Sequence, residues 1–390
     1  MPSEATHSPR RLLYVVNEDF AFLLNRLPMA RAAYKAGFEV HVATHIRNGS
    51  DAIKAEGFIL HPIPLQRGGL SPLAAVPTIL ALRRLERQIK PHIAHHSGLQ
   101  CSVYGSVAAF GRKFPQVNAM TGLGYVFTST TLRTRVVKQG LKWLLPLFFN
   151  RQGKVVVVQN PDDRAVLDDL GIEPERMVLI PGSGVDTDAL QPLPEPQGPI
   201  TFGFAGRLLT DKGIRALIAA HSIVRSQGLD ANLIIAGNPD PANPASVSPE
   251  EVEEWCRRPG ITWLGHIEDI ASLWRKCHFA VLPSHREGLP GSLMEAAACG
   301  RPMIATDAPG CREIVIQDQT GLLVPIEDSP ALARAIVKLA NSPKLRTRYG
   351  RAARELVVKK LSATIIGNSI VRLYNELTRS SETALSQRFE

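Results

Sequence analysis

Apolar positions along the chain fall into short runs that alternate with longer stretches of helical period. Residues 12–16 form an apolar run of strand length, and residues 39–44 alternate like a second strand. A helix is expected between them over 22–35, with Gly37 closing it. The alternation continues with helix 73–89, strand 92–96, helix 99–110, strand 115–119, strand 155–158, helix 161–170 and strand 177–180. Residues 191–199, QPLPEPQGP, are Pro-rich and poor in apolar side chains, and read as a linker. A second alternation follows: strand 200–205, helix 214–225, strand 231–236, helix 249–256, strand 261–264, strand 277–282, a short helix to Gly300, and strands 301–306 and 321–324. Three helices, 329–340, 343–358 and 362–378, close the chain. Strands alternating with helices predict an α/β fold of two doubly wound, Rossmann-like domains, 1–190 and 200–361, around the linker.

One stretch of the second half concentrates candidate chemistry. Glu287 and Glu295 stand eight positions apart in REGLPGSLMEAAACGRPMIATDAPGCRE, residues 286–313. Pro290 suits a first helical turn, the residues after it are good helix formers, and Gly300 ends them. This is a strand, a loop and a helix whose N-terminus opens at the carboxyl end of a parallel strand, where open α/β sheets bind ligands. Free N–H groups and the positive end of the helix dipole suit a phosphate there. A diphosphate at that end would leave each carboxylate accepting hydrogen bonds from hydroxyls on either side, which is the chemistry of a nucleotide sugar.

The second feature is FGFAGRLLTDKG, residues 202–213. It sets Arg207 and Lys212 after a strand that ends at Gly206, so a forked donor and a point charge share one strand end. The spacing of its glycines, G-x-x-G, is not the dinucleotide fingerprint. Trp263-Leu264-Gly265-His266-Ile267 follows another strand, and His95-His96-Ser97 ends a strand of the first half, so one imidazole should face a cleft or the core.

The stretch 286–313 resembles the donor-site signature of retaining glycosyltransferase family 4: Glu-x7-Glu, a small-residue helix, Arg301-Pro302-Met303-Ile304-Ala305-Thr306, then Pro309-Gly310 and an acidic Glu313. Residues 206–213 resemble that family's G-R-x-x-x-x-K-G diphosphate clamp. The resemblance implies the GT-B architecture, two such domains facing a cleft, with the last helix, 362–378, crossing back to the first domain. It implies Arg207 and Lys212 as diphosphate ligands, Glu287 orienting the donor sugar, and Glu295 holding the ribose. It makes Gly206, Arg286, Gly288, Leu289, Pro290, Gly291, Ser292 and Leu293 further donor-site residues, with His266 and Ile267 meeting the base. Asn25-Arg26-Leu27-Pro28 and the string Asn118 to Phe127 resemble the subgroup that extends polyprenyl-diphosphate sugars for bacterial surface glycans. Asn17, Arg26, His95, His96, Thr121 and Gly122 are then candidate acceptor-site residues. Many family members carry His where Thr121 stands, and the Gly-Gly turn common after the first strand is replaced by Asn17-Glu18-Asp19.

Composition narrows the partners. The net charge of +9 resides wholly in the first half: residues 1–185 hold 22 Lys/Arg against 13 Asp/Glu, and residues 186–390 hold 23 of each. A basic first half points to an anionic partner. The neutral second half speaks against nucleic acid. Residues 132–154, LRTRVVKQGLKWLLPLFFNRQGK, interleave Lys138 and Lys142 with Trp143, Phe148 and Phe149, the composition of a segment lying on an anionic membrane. The bland alternative is a helix packed inside the first domain. The amino-terminal stretch lacks the apolar core of a signal peptide, and five dispersed cysteines read as reduced thiols. A cytoplasmic protein, peripheral on the inner face of the plasma membrane, is expected. Asp186-Thr187-Asp188 matches D-x-D, a metal motif of another glycosyltransferase architecture, but its position after a strand and before the linker argues for a turn. No metal and no cofactor is expected. The expected reaction moves a sugar from a nucleotide-diphosphate sugar, UDP-linked by preference, to a polyprenyl-diphosphate-linked glycan. The alternatives are a sugar-nucleotide epimerase of the same fold and a silent nucleotide-binding scaffold.

Overall fold

A computed structural model describes residues 9–65, 72–120, 132–241 and 243–386. The chain divides into two compact units, residues 1–183 with 364–390, and residues 184–363.

The first unit is built on β1 (Arg10–Glu18), α1 (Asp19–Asn25), α2 (Leu27–Lys35), β2 (Phe38–His45), α3 (Ser50–Ala55), β3 (Ile59–Pro62), α4 (Pro72–Ile89), β4 (Ile93–Ser97), α5 (Leu99–Ala108), β5 (Gln116–Met120), α6 (Leu132–Phe149), β6 (Lys154–Val158), α7 (Pro161–Asp169) and β7 (Met177–Leu179). Its seven strands are parallel in the order β3-β2-β1-β4-β5-β6-β7. The second unit runs β8 (Ile200–Ala205), α8 (Ile214–Ser226), β9 (Ala231–Ala236), α9 (Pro249–Cys256), β10 (Ile261–Trp263), α10 (Ile270–Lys276), β11 (Phe279–Leu282), α11 (Gly291–Ala298), β12 (Met303–Thr306), β13 (Gly321–Val324), α12 (Ser329–Ala340) and α13 (Pro343–Leu356). Its order is β10-β9-β8-β11-β12-β13, again all parallel. In both sheets the order reverses beside the first strand, which creates a crevice at the strand ends on either side of the switch. Central strands are buried on both faces, which is why β11 reads as an unbroken apolar run, Phe279-Ala280-Val281-Leu282.

The final helix, α14 (Ala363–Ser386), belongs to the first unit. Ile366, Ile370, Leu373 and Tyr374 enter its core beside Leu12, Tyr14 and Phe38. Arg10 adds a hydrogen bond of 2.8 Å to Asn375 Oδ1.

Several expectations need correction. The helix expected over 22–35 is two helices, because Arg26 leaves helical geometry (φ −127°) ahead of Pro28, and a proline sits comfortably only in a first turn. The helices α3 and α10 and the strand β3 were not anticipated; β3 is a short, partly exposed edge strand whose pattern carries little contrast. The boundary between units falls at Ser183/Gly184, and residues 191–199 belong to the second unit. Arg301, 3% exposed, donates to the carbonyls of Leu193 (3.2 Å) and Pro194 (2.7 Å), and Arg354 donates to that of Thr187 (2.8 Å). A proline-rich strip offers carbonyls without N–H groups that would need partners of their own, so it suits buried guanidinium groups. The two points where the chain passes between units lie side by side, with Val185 and Ser362 bridged in parallel.

Candidate functional site

Within the second unit, the candidate site forms where the β8 and β11 loops meet at the switch point. After Ala205 the chain passes Gly206 and Arg207 and makes a tight 3-10 turn, Thr210–Lys212. Gly213 ends that turn in the left-handed region (φ 69°), and a Cβ there would lie 1.9 Å from the Pro283 carbonyl oxygen. Only glycine lets the two loops approach so closely. They are laced together: the Ser284 hydroxyl (3.1 Å) and the His285 N–H (2.8 Å) both donate to the Asp211 carbonyl. The Lys212 ammonium is thereby set against the Glu287 carboxylate in an ion pair. The Glu287 N–H donates to the Pro309 carbonyl at 3.0 Å, tying the site to the loop after β12.

Helix α11 begins one residue later than expected, with Pro290 as its cap and no side chain capping it. The Met294 N–H bonds back to the Pro290 carbonyl. The amides of Gly291, Ser292 and Leu293 precede the first full intrahelical bond, so the helix presents N–H groups and its positive end at this edge. Leu289 and Pro290 are buried beneath it, and Gly288 and Ser292 are half-buried. Glu295 lies in the second turn and is half-buried. Burial pushes its carboxyl up to about 7. Among the described residues, no hydrogen bond or ion pair reaches that carboxylate. Arg286 is half-buried just ahead of Glu287.

Arg207, 45% exposed at its side chain, donates from Nη1 to Asp240 at 2.8 Å. Sequence reading missed Asp240: it lies 33 residues on, in a proline-rich loop, and no spacing links it to Arg207. His266 is exposed and Ile267 half-buried in the turn after β10, two strands from β8. At about 4.8 Å per strand, that turn lies roughly 10 Å along the same edge, about the span from a diphosphate to a base. The second domain thus gathers two cations, an uncapped helix N-terminus and the carboxylates of Asp240, Glu287 and Glu295 on one sheet edge. Such a set can neutralise a diphosphate and accept from sugar hydroxyls.

The first unit deals differently with its candidates. His95 and His96 are fully buried and point to opposite faces of the sheet, so the expectation that they meet an acceptor directly is corrected. His95 Nδ1 lies 2.6 Å from the Tyr374 hydroxyl, which lies 2.8 Å from the Tyr14 hydroxyl, so this chain fastens α14 to the sheet. His96 Nδ1 lies 2.9 Å from Asn118 Oδ1, and its ring packs against Gly105 of α5. Burial holds both imidazoles well below their usual range, hence neutral. Arg26, 1% exposed, donates to Ser97 Oγ (2.9 Å) and Ser183 Oγ (3.2 Å), so it knits the carboxyl edge of the sheet and is no surface ligand. Asn17 stays partly exposed at that edge, accepting from Cys101. Asp19 accepts from the N–H groups of Arg47 and Gly49 (both 2.7 Å) and shapes their loop, while Glu18 pairs with Arg47 at 2.7 Å. Thr121 and Gly122 lie outside the described residues, as does the side chain of Lys138.

On α6, Trp143 is 77% and Leu147 54% exposed, with Lys142 exposed beside them. Phe148 is half-buried against Phe110, whose ring carries the Arg151 guanidinium at 5.0 Å. Phe149 is fully buried among Met120, Leu145 and Val156, which corrects its place in a membrane face. A helix spreads consecutive residues around its axis, and 149 falls on the inner side. Asp186 accepts from the N–H groups of Asp188 and Ala189, so the D-x-D sequence is a turn. Among the described residues no cluster of three or more His, Cys, Asp or Glu is placed to hold a metal, and no helix is long and apolar enough to cross a membrane.

Comparison with known proteins identifies the family and the fold. Residues 28–189 match the glycosyltransferase family 4 model, and residues 199–342 the model for glycosyl transferases group 1. The chain is 26% identical over 365 residues to the capsular polysaccharide biosynthesis glycosyltransferase CapM of Staphylococcus aureus, covering 89% of this chain and 92% of that one. It is 22% identical to the N,N'-diacetylbacillosaminyl-diphospho-undecaprenol alpha-1,3-N-acetylgalactosaminyltransferase of Campylobacter jejuni, over 91% and 96% of the two chains. It is 23% identical to the UDP-Gal:alpha-D-GlcNAc-diphosphoundecaprenol alpha-1,3-galactosyltransferase of Escherichia coli, over 73% and 75%. Among solved structures, sucrose-phosphate synthase from Thermosynechococcus elongatus superposes with a TM-score of 0.80 at 20% identity, over 95% of this chain and 100% of that one. Two doubly wound domains of GT-B type, a family 4 domain ahead of a group 1 domain, and glycosyltransferase relatives over nine-tenths of the chain lead to one conclusion: this chain is a glycosyltransferase.

Proposed function

We propose that this glycosyltransferase takes a UDP-linked sugar as donor, transfers it with retention of configuration, and delivers it to a hydroxyl of a polyprenyl-diphosphate-linked sugar. The observation that carries the donor half is the pairing of Arg207, Lys212 and the open N-terminus of α11 with an unpartnered, half-buried Glu295. A buried carboxylate without a partner is costly, and a vicinal diol such as a ribose would satisfy it. The diphosphate leaves against two cations and the helix end, which supply charge neutralisation that a metal supplies elsewhere, so the reaction is proposed to need none. Glu287, released from Lys212 as the diphosphate arrives, orients the transferred sugar. Attack from the leaving-group side, with the departing diphosphate taking the acceptor proton, accounts for retention.

The acceptor half rests on the names of the relatives from Campylobacter jejuni and Escherichia coli, which specify diphospho-undecaprenol substrates. The exposed Trp143, Leu147 and Phe110, flanked by Lys142 and Arg151, fit peripheral contact with an anionic bilayer at its cytoplasmic face. The deciding assay presents UDP-, GDP- and ADP-sugars with and without a polyprenyl-diphosphate sugar, in the presence of EDTA. UDP release from one donor, accelerated by the lipid acceptor, with the anomeric configuration kept in the product, is the expected result. Release only from a GDP- or ADP-sugar overturns the donor assignment, loss of activity in EDTA overturns metal independence, and release unaffected by the lipid overturns the acceptor.

A further inference from the structure

Arg207 does not hang free at the sheet edge. The loop after β9 folds back over it. Gly237 sits in the left-handed region (φ 128°), and a Cβ there would lie 1.9 Å from the Gly206 carbonyl oxygen, so this loop starts in direct contact with the strand end that bears Arg207. The two segments then run together. Leu208 N–H donates to the Asn238 carbonyl (3.0 Å), Val247 N–H to the Leu208 carbonyl (3.0 Å), and Thr210 N–H to the Ala245 carbonyl (2.7 Å). Leu209 and Ser246 form an antiparallel bridge. The Asp240 N–H donates to Ser246 Oγ at 2.9 Å, which holds Asp240 in place. Its side chain is only 16% exposed and receives Arg207 Nη1 at 2.8 Å.

The grip is one-sided. Asp240 takes Nη1 and leaves Nε–H and Nη2–H, the parallel pair that matches two phosphate oxygens. Among the described residues nothing bonds to either. We propose that Asp240 is a positioning residue for Arg207: it takes one end of the guanidinium so that the other edge is presented, already ordered, to the donor diphosphate. The proposal rests on the donor reading above. A carboxylate near a diphosphate is electrostatically unfavourable, so a positioning Asp240 must impose an order that outweighs the repulsion. A counter-ion that merely blocks Arg207 has the opposite consequence for affinity, so the sign of one measurement separates the two.

The test is a double-mutant cycle on the full-length protein, with UDP affinity read by calorimetry and KM and kcat read with the donor. Asp240→Ala is expected to weaken UDP roughly 3- to 10-fold, the cost of ordering one long side chain on binding. In an Arg207→Ala background the same change is expected to have no further effect, and Asp240→Glu is expected to recover part of the loss. Equal weakening in both backgrounds would assign Asp240 to loop structure alone and overturn the proposal. Tighter UDP binding by Asp240→Ala would overturn it in favour of a blocking counter-ion. Unchanged UDP affinity in Arg207→Ala alone would remove the diphosphate clamp itself, a failure of the donor reading, and leaves Asp240 nothing to position.

Discussion

Burial makes ionisation of Glu295 unfavourable, and this makes it testable by pH. Burial raises its carboxyl from 4.5 to about 7, so below that pH it is mostly protonated. Hydroxyls that donate to it favour the ionised form, so donor binding should draw off a proton. Affinity for a UDP-sugar, whose diphosphate does not titrate near neutrality, is expected to rise about tenfold from pH 6 to pH 8 and to level off above, and Glu295→Gln should flatten the profile. A flat profile in the unaltered protein would remove Glu295 from the ribose position. The stability consequence has the opposite sign. A raised folded pKa favours folding at low pH, and that contribution is lost as pH rises from the unfolded value through 7. Glu295→Gln should therefore melt higher than the unaltered protein at pH 8, with the gap narrowing toward pH 5.

Helix α6 has a buried and an exposed side, and substitutions should separate what each does. Phe149 is fully buried and Trp143 is 77% exposed. Phe149→Ala removes a core ring and is expected to cost about 3–5 kcal/mol in denaturant unfolding. Trp143→Ser should cost within about 0.5 kcal/mol, as surface changes do. The same Trp143→Ser, combined with Leu147→Ser, is expected to release the protein from anionic liposomes in co-sedimentation. Full retention would leave α6 as a packed helix with an incidental apolar edge. Periodicity announced an amphipathic helix here, yet it could not say which aromatic faced inward. That depended on β5, β6 and α7 supplying Met120, Val156 and Leu167 against one side of the helix.

At the scale of the molecule, the first domain is not continuous in sequence. Four residues of α14, Ile366, Ile370, Leu373 and Tyr374, are buried in its core. Each is worth on the order of 1.5–3 kcal/mol, a total comparable to the whole stability of an ordinary domain. Truncation after residue 362 is therefore expected to abolish the first domain's transition in calorimetry and leave that of the second domain near its original temperature. Two unshifted transitions would show that α14 is dispensable to the first core.

Local pattern alone determined the alternation of strands and helices, the doubly wound class, and the concentration of Arg207, Lys212, Glu287 and Glu295 after two strands of one domain. These are legible because apolar period, glycine stops and strand-end loops are short-range properties. Tertiary structure decided what depends on partners far apart in the chain. It put His95 against Tyr374 and His96 against Asn118, so both became internal fasteners. It bound the Pro-rich strip 191–199 to Arg301 and moved the domain boundary back to Ser183. It brought Asp240 to Arg207 across 33 residues. The physical reason is the same in each case. A polar side chain near a strand end satisfies its hydrogen bonds with whatever group the packing of other elements brings within about 3 Å, and no periodicity in its own segment encodes that neighbour.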